Sequence, residues 1–141
     1  MTPGDGALAD ALKAEHAAIF GYGIVGAHVA AGHLGPTVAA DEAHRARRDA
    51  LLTLLAGRGV TPPGAETTYA LPFPVTTDAT ALKLATTIED RTATFWLRVV
   101  PDTTGDDRKT AVSALTDCAT RSTRWRQLAG QTPTTTPFPG L

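Results

Sequence analysis

The stretch Ala14-Glu15-His16-Ala17-Ala18-Ile19-Phe20-Gly21-Tyr22 puts an acid where a helix calls for an apolar residue. At about 100° per residue, Leu8, Leu12, Ile19, Tyr22, Val25 and Val29 gather on one side of a helix, and Glu15 falls near the centre of that group. Asp10 and Lys13 fall on the opposite side, as a solvated face requires. A carboxylate in a core is costly unless a cation, a metal ion or hydrogen bonds meet it. Finding what meets Glu15 is therefore bound up with finding the fold.

A length of 141 residues suits a single core, and 43% hydrophobic with 19% charged residues is a globular composition. A formal charge of −1 provides no overall field to attract nucleic acid or an anionic membrane. The single cysteine, Cys118, leaves no internal disulfide and suits a reducing compartment. Met1-Thr2-Pro3-Gly4-Asp5 lacks the basic start and apolar core of an export signal. Ala17 to Ala31 is interrupted by three glycines and His28, too weak for a membrane span. The expectation is a cytoplasmic protein of one domain.

Four helical stretches follow from the spacing. The first runs from about Gly6 to Ala31, with Asp5 as N-cap and Gly32 to Gly35 ending it. The second begins near Pro36, a residue suited to a first helical position, and stops near Gly57. Val60 to Thr77 holds Pro62, Pro63, Gly64, Pro72 and Pro74, which no helix tolerates. The third helix opens at Asp78 as N-cap and turns Leu82, Ala85, Ile88, Thr92, Phe95, Trp96 and Val99 inward. After a turn at Pro101 to Gly105, the fourth turns Val112, Leu115, Cys118, Ala119, Ser122 and Trp125 inward. Residues 1–129 form the body, and 130–141 a Pro/Thr-rich tail anchored through Phe138.

Two hairpins joined by one long link define a topology. A helix of about 22 residues is roughly 33 Å long, and an extended link at about 3.3 Å per residue spans more than that. The link can cross the bundle end to end and leave the second and third helices parallel. That is the all-α, ferritin-like four-helix bundle with a single crossover. Gly21-Tyr22-Gly23-Ile24-Val25-Gly26 competes with this assignment, because with Asp41 downstream it matches the dinucleotide-binding fingerprint. That chemistry needs a strand before the glycines and further βαβ units after them. Leu8, Leu12 and Ile19 stand at helical spacing instead, so the glycines are expected inside a helix, allowing close approach of a neighbour.

Glu15 to Ala27, with Ala43-His44-Arg45-Ala46-Arg47-Arg48-Asp49-Ala50-Leu51, resembles an actinobacterial ferritin-like family, domain of unknown function 4439. The resemblance extends over nearly the whole chain, through Tyr69-Ala70-Leu71-Pro72, Glu89-Asp90, Arg121 to Arg126 and Phe138-Pro139-Gly140. It implies a ferritin-like fold and no particular activity.

A di-metal site in such a bundle needs an inward Glu on two helices and Glu-x-x-His on the other two. Glu15 and Glu89 offer the first pair, and Asp41-x-x-His44 a partial second, so any metal ligands would be Glu15, Glu89, Asp41 and His44. Measured from a turn at Gly32 to Gly35, however, Glu15 lies about 24 Å along the bundle and His44 about 10 Å. At the level of Glu15 the second helix then presents Arg48 and Leu51, and the fourth helix offers Asp117 and Thr120, with Asp117 and Arg121 paired at the surface. The expected core is a Glu15–Arg48–Glu89 cluster, with a Tyr22–His44 hydrogen bond in the next layer and no metal or cofactor.

The remaining candidates carry less chemistry. Arg45, Arg47 and Arg48 are interleaved with Asp41, Glu42 and Asp49, the pattern of a solvated helix. Arg121, Arg124 and Arg126 around Trp125 form a second basic cluster, the basis of an RNA- or ribosome-associated alternative. Trp96 and Cys118 read as core, and no Ser/His/Asp or Cys/His arrangement supports catalysis. The expectation is a non-catalytic bundle that binds a protein or small molecule. Its composition is compatible with a homodimer, gives no membrane affinity and makes nucleic acid a poor fit. A di-iron or di-manganese oxidoreductase, or an iron-handling protein, is the metal-dependent alternative.

Overall fold

The computed structural model describes residues 1–141 as four long helices without a strand. They are α1 (Pro3–His28), α2 (Ala31–Gly57), α3 (Asp78–Val99) and α4 (Gly105–Leu128). No helix is long and apolar enough to cross a membrane.

The helix ends explain most departures from the sequence pattern. α1 starts at Pro3 because Thr2, not Asp5, is its N-cap. The Thr2 hydroxyl accepts from the Asp5 amide, and the Asp5 carboxylate accepts from the Thr2 amide, closing a capping box. Thr77 and Thr80 form the same reciprocal pair at α3, so Asp78 is the first residue of that helix and not its cap. Asp78 turns to α2 instead, where its Oδ1 accepts from the Ala30 amide at 2.7 Å and from His33 Nδ1 at 2.9 Å. α2 has no side-chain cap of its own, and Asp78 serves that end from another helix. The His33 hydrogen bond, then the Ala30 amide, hold the Asp78 carboxyl below its usual range.

With that support α2 begins at Ala31, and the turn is only Val29 and Ala30. Gly32 and Gly35 lie inside α2 with open space beside them, and Pro36 sits in its second turn. There the proline gives up one intrahelical hydrogen bond without ending the helix.

α1 packs on α2 and on α3, and α3 packs on α4. Asp78 ties the starts of α2 and α3 together at one end of the bundle. At the other end Arg58, just past α2, bonds Asp5 of α1 at 3.0 Å and Asp107 of α4 at 2.8 Å. α2 and α3 are therefore parallel, and the segment between them crosses the length of the bundle. His16 Nε2 donates to the Pro63 carbonyl at 3.0 Å, Tyr69 packs on Phe20 at 5.3 Å between ring centroids, and Val75 is buried.

Inside the bundle, two apolar clusters are separated by a polar layer. Leu8, Leu12, Leu55, Val99 and Cys118 belong to one cluster, and Val25, Ala40, Leu82, Ala85 and Ile88 to the other. α4 contributes Ala111, Ala114, Cys118, Ser122 and Trp125, while Val112 is 46% exposed. The inward stripe of α4 thus begins on small alanines that let α3 and α4 approach, and Val112 turns outward. Gly21, Gly23 and Gly26 lie within α1 with no preceding strand, so no nucleotide fingerprint forms. Of these three, only Gly21 serves close packing: a Cβ there would stand 2.5 Å from Ile88 Cδ1. The C-terminal tail is held by Gly140, at φ +90°, against Ala93 and Leu97 of α3. Phe138, the expected anchor, is 71% exposed.

Candidate functional site: a buried polar layer

Glu15 from α1, His44 from α2 and Glu89 from α3 meet in the polar layer, none more than 1% exposed. His44 lies between the two acids, with Nδ1 2.5 Å from Glu15 Oε2 and Nε2 2.8 Å from Glu89 Oε1. A neutral imidazole donates from one nitrogen only and would turn a lone pair on the other carboxylate. The geometry therefore calls for an imidazolium. Burial opposes that charge, but hydrogen bonds from Glu15 and Glu89, reinforced by their charges, outweigh it and raise His44 to about 10.

Donors from the flanking layers complete the network. Trp96 Nε1 donates to Glu15 Oε1 at 2.8 Å. The Tyr22 hydroxyl donates to Glu89 Oε1 at 2.7 Å and accepts from Trp125 Nε1 at 2.9 Å. From α4, Arg121 Nη1 reaches Glu89 Oε1 at 3.2 Å, while its Nη2 bonds Asp117 at 2.8 Å. Burial works against ionisation of Glu89, yet the His44 contact, the Arg121 charge and the Tyr22 hydroxyl together lower its pKa. For Tyr22, burial first and the Glu89 charge second push the phenol well above its ordinary range. Two carboxylates thus face one imidazolium and one guanidinium, so the layer is formally neutral.

Glu15, Glu89 and His44 are joined as core groups, but the predicted Glu15–Arg48–Glu89 cluster is not formed. Arg48 bonds its neighbour Asp49 at 2.8 Å at the surface, and His44 takes the place expected for it. The reason is the position of the turn. Glu15 stands thirteen positions from the end of α1 at His28, and His44 thirteen positions from the start of α2 at Ala31. At 1.5 Å per residue both lie about 20 Å from the turn, on one level. Tyr22 and His44 do not bond directly either: their rings stack at 5.5 Å and both donate to Glu89. A guanidinium does enter the core, from Arg121. The Asp117–Arg121 pair exists as expected, but Arg121 is only 16% exposed and uses its other nitrogen on Glu89. Its inward reach, and the two indole donors, carry no spacing signal of their own.

A dinuclear metal centre needs carboxylate and imidazole lone pairs free to face the ions. Here three donors converge on Glu89 Oε1, Glu15 takes Trp96 and His44, and both His44 nitrogens are engaged. Asp41 bonds Arg45 and does not join the layer. No group of three His, Cys, Asp or Glu residues is arranged to hold a metal ion. The residues present do not fit a di-metal centre.

Among the openings outside this layer, two are lined mainly by apolar residues. α2 and α4 leave a groove of about 550 Å³ floored by Leu51 and Trp96. Arg47 lies across it, 6.0 Å from the Trp96 ring and 3.9 Å from Asp117. A second pocket lies between α1 and α3 beneath the crossover. The C-terminal basic cluster is largely spent internally: Arg126 bonds Asp90 at 2.6 Å and Ser122 at 3.0 Å, which leaves Arg124 as its unpaired member.

Comparison with known proteins fits this architecture. A conserved hypothetical protein, rv2844, from Mycobacterium tuberculosis has a crystal structure similar to this fold, with a TM-score of 0.87 and 43% identity. The match covers 89% of this chain and 96% of that one. No curated protein matches the sequence. The family model described as Domain of unknown function (DUF4439) matches residues 7–141, and the chain belongs to that family.

Proposed function

We propose that this protein is a ferritin-like bundle of an actinobacterial type whose centre is structural, and that it acts by binding a protein or small molecule rather than by metal-centred catalysis. One observation carries this: His44, between Glu15 and Glu89, and Arg121, on Glu89, supply the positive charge that metal ions supply in a di-iron bundle. Glu15, His44 and Glu89 are each at most 1% exposed, which leaves the outer grooves as the open places for binding. The tying of Arg121 and Arg126 to acids of this chain removes most of the support for an RNA-binding role.

The test is a titration of chelator-free protein with Fe(II) and with Mn(II), followed by desalting, metal analysis and thermal melting. The expected result is less than one ion retained per chain and an unchanged melting temperature. Two ions per chain, with a rise in melting temperature that Glu15→Gln abolishes, would overturn the proposal.

A further inference from the structure

The pocket between α1 and α3 differs in character from the groove beside α2. Its volume is about 280 Å³, at the small end of ligand sites. Phe20, Leu84, Ile88 and Phe95 give it an apolar interior, and Tyr69 and Leu71 of the crossover close one side. Arg91 and the Tyr69 phenol are its only ionisable lining groups. The Tyr69 oxygen already accepts from the Glu66 amide at 2.9 Å. Arg91 is exposed and makes no ion pair or hydrogen bond, whereas Arg45, Arg47, Arg48, Arg58, Arg121 and Arg126 each meet a carboxylate of this chain.

The crossover wall is also adaptable. Between Thr61 and Thr76 it makes no backbone–backbone hydrogen bond, so it can shift around a guest without breaking secondary structure. An apolar pocket with a single unpartnered guanidinium suits a ligand with an apolar body and one anionic end, since a carboxylate matches the planar fork of an arginine.

We propose that this pocket binds a small apolar carboxylic acid, its hydrocarbon body under Tyr69 and Leu71 and its carboxylate on Arg91. This rests on the reading of the chain as a binding protein, and it names the ligand class and the site.

The probe is sodium decanoate, kept below its micelle-forming concentration and titrated by calorimetry, with decanol as the neutral control. Wild type is expected to bind one decanoate saturably and to favour it over decanol by about tenfold, the scale of a charge-assisted hydrogen bond. Arg91→Ala should erase that preference while leaving decanol binding unchanged. Ala17→Phe, at a half-buried lining position on α1, should abolish binding of both. Circular dichroism and melting of each variant confirm that it is folded.

Absence of saturable decanoate binding would overturn the proposal, as would equal affinity for decanol in wild type. Decanoate binding that survives both substitutions would place the ligand elsewhere and also overturn it. Metal uptake by the core would leave these titrations unaffected, so the two proposals fail separately.

Discussion

Raising the pH should unload the centre of this protein before it affects the rest. His44 is shifted from 6.5 to about 10 in the folded chain, so folding favours its protonated form. A raised folded pKa contributes stability that is complete below the unfolded value and is lost as pH climbs through the folded one. At about 1.4 kcal/mol per unit, the full contribution is on the order of 5 kcal/mol. Between about pH 5.5 and 8.5, roughly 2.5–3 kcal/mol of it should disappear. Glu89 works in the opposite sense: its lowered pKa contributes stability above the ordinary carboxylate range, lost only on acidification, so it adds no slope in this window. The assay is urea unfolding at constant ionic strength across that range, on wild type and His44→Leu. Removing the imidazolium strands two buried carboxylates, a loss of about 3–5 kcal/mol at the acidic end. Stranded carboxylates take up protons at the acidic end, so the variant also weakens as pH rises, and the wild-type slope carries the test. A wild-type stability that is flat or rising over this range would refute the assignment of His44 as the core cation.

Other substitutions separate the core from its surroundings. Arg48→Met should change unfolding free energy by less than about 0.5 kcal/mol, as expected of a surface pair, whereas Arg121→Met should cost about 2–4 kcal/mol by uncovering Glu89. The reverse ranking in denaturant melts would mean that Arg48 is the inward guanidinium. Gly23→Ala should stabilise by about 0.5–1 kcal/mol, since it sits in α1 with open space beside it. Gly21→Ala brings the same helix preference into collision with Ile88, so it should rank below Gly23→Ala; equal gains would deny the close approach. Cys118 is 1% exposed, and burial, then the Glu89 and Glu15 charges, push its thiol well above the usual range. A thiol reagent should therefore label it quickly in urea and only very slowly in buffer; rapid labelling of folded protein would contradict that burial.

The long-range architecture was readable because it rests on strong local signals. Apolar residues at helical spacing marked all four helices, and the prolines of 62–74 marked the crossover. An acid at the centre of an apolar stripe announced Glu15 as a core residue. The pairing within the core depends on a register, and the register failed at Gly32 to Pro36. Those residues carry every local mark of a turn and are helical, because Asp78, distant in the chain, caps α2 at Ala30. Moving the turn a few residues toward the N-terminus replaces Arg48 with His44 beside Glu15. The entry of Arg121 was hidden for a different reason. A long guanidinium four residues after an aspartate satisfies a surface pattern, and its second hydrogen-bonding edge has no sequence mark.

The bond from Asp78 to the start of α2 bears on how the bundle comes apart. A residue of the second hairpin finishes a helix of the first, and at the far end Arg58 returns the favour by joining α1 to α4. The first hairpin takes the cap of α2 from the second, so α2 begins to fray when the second hairpin departs, and the Arg58–Asp107 pair is lost with it. The two halves are thereby coupled into one cooperative unit, despite being connected only by a strand of chain with no backbone hydrogen bonds between Thr61 and Thr76. Cutting that strand would sever the covalent link but leave both stitches in place, so a nicked molecule should stay assembled as a complex of two fragments that do not fold apart.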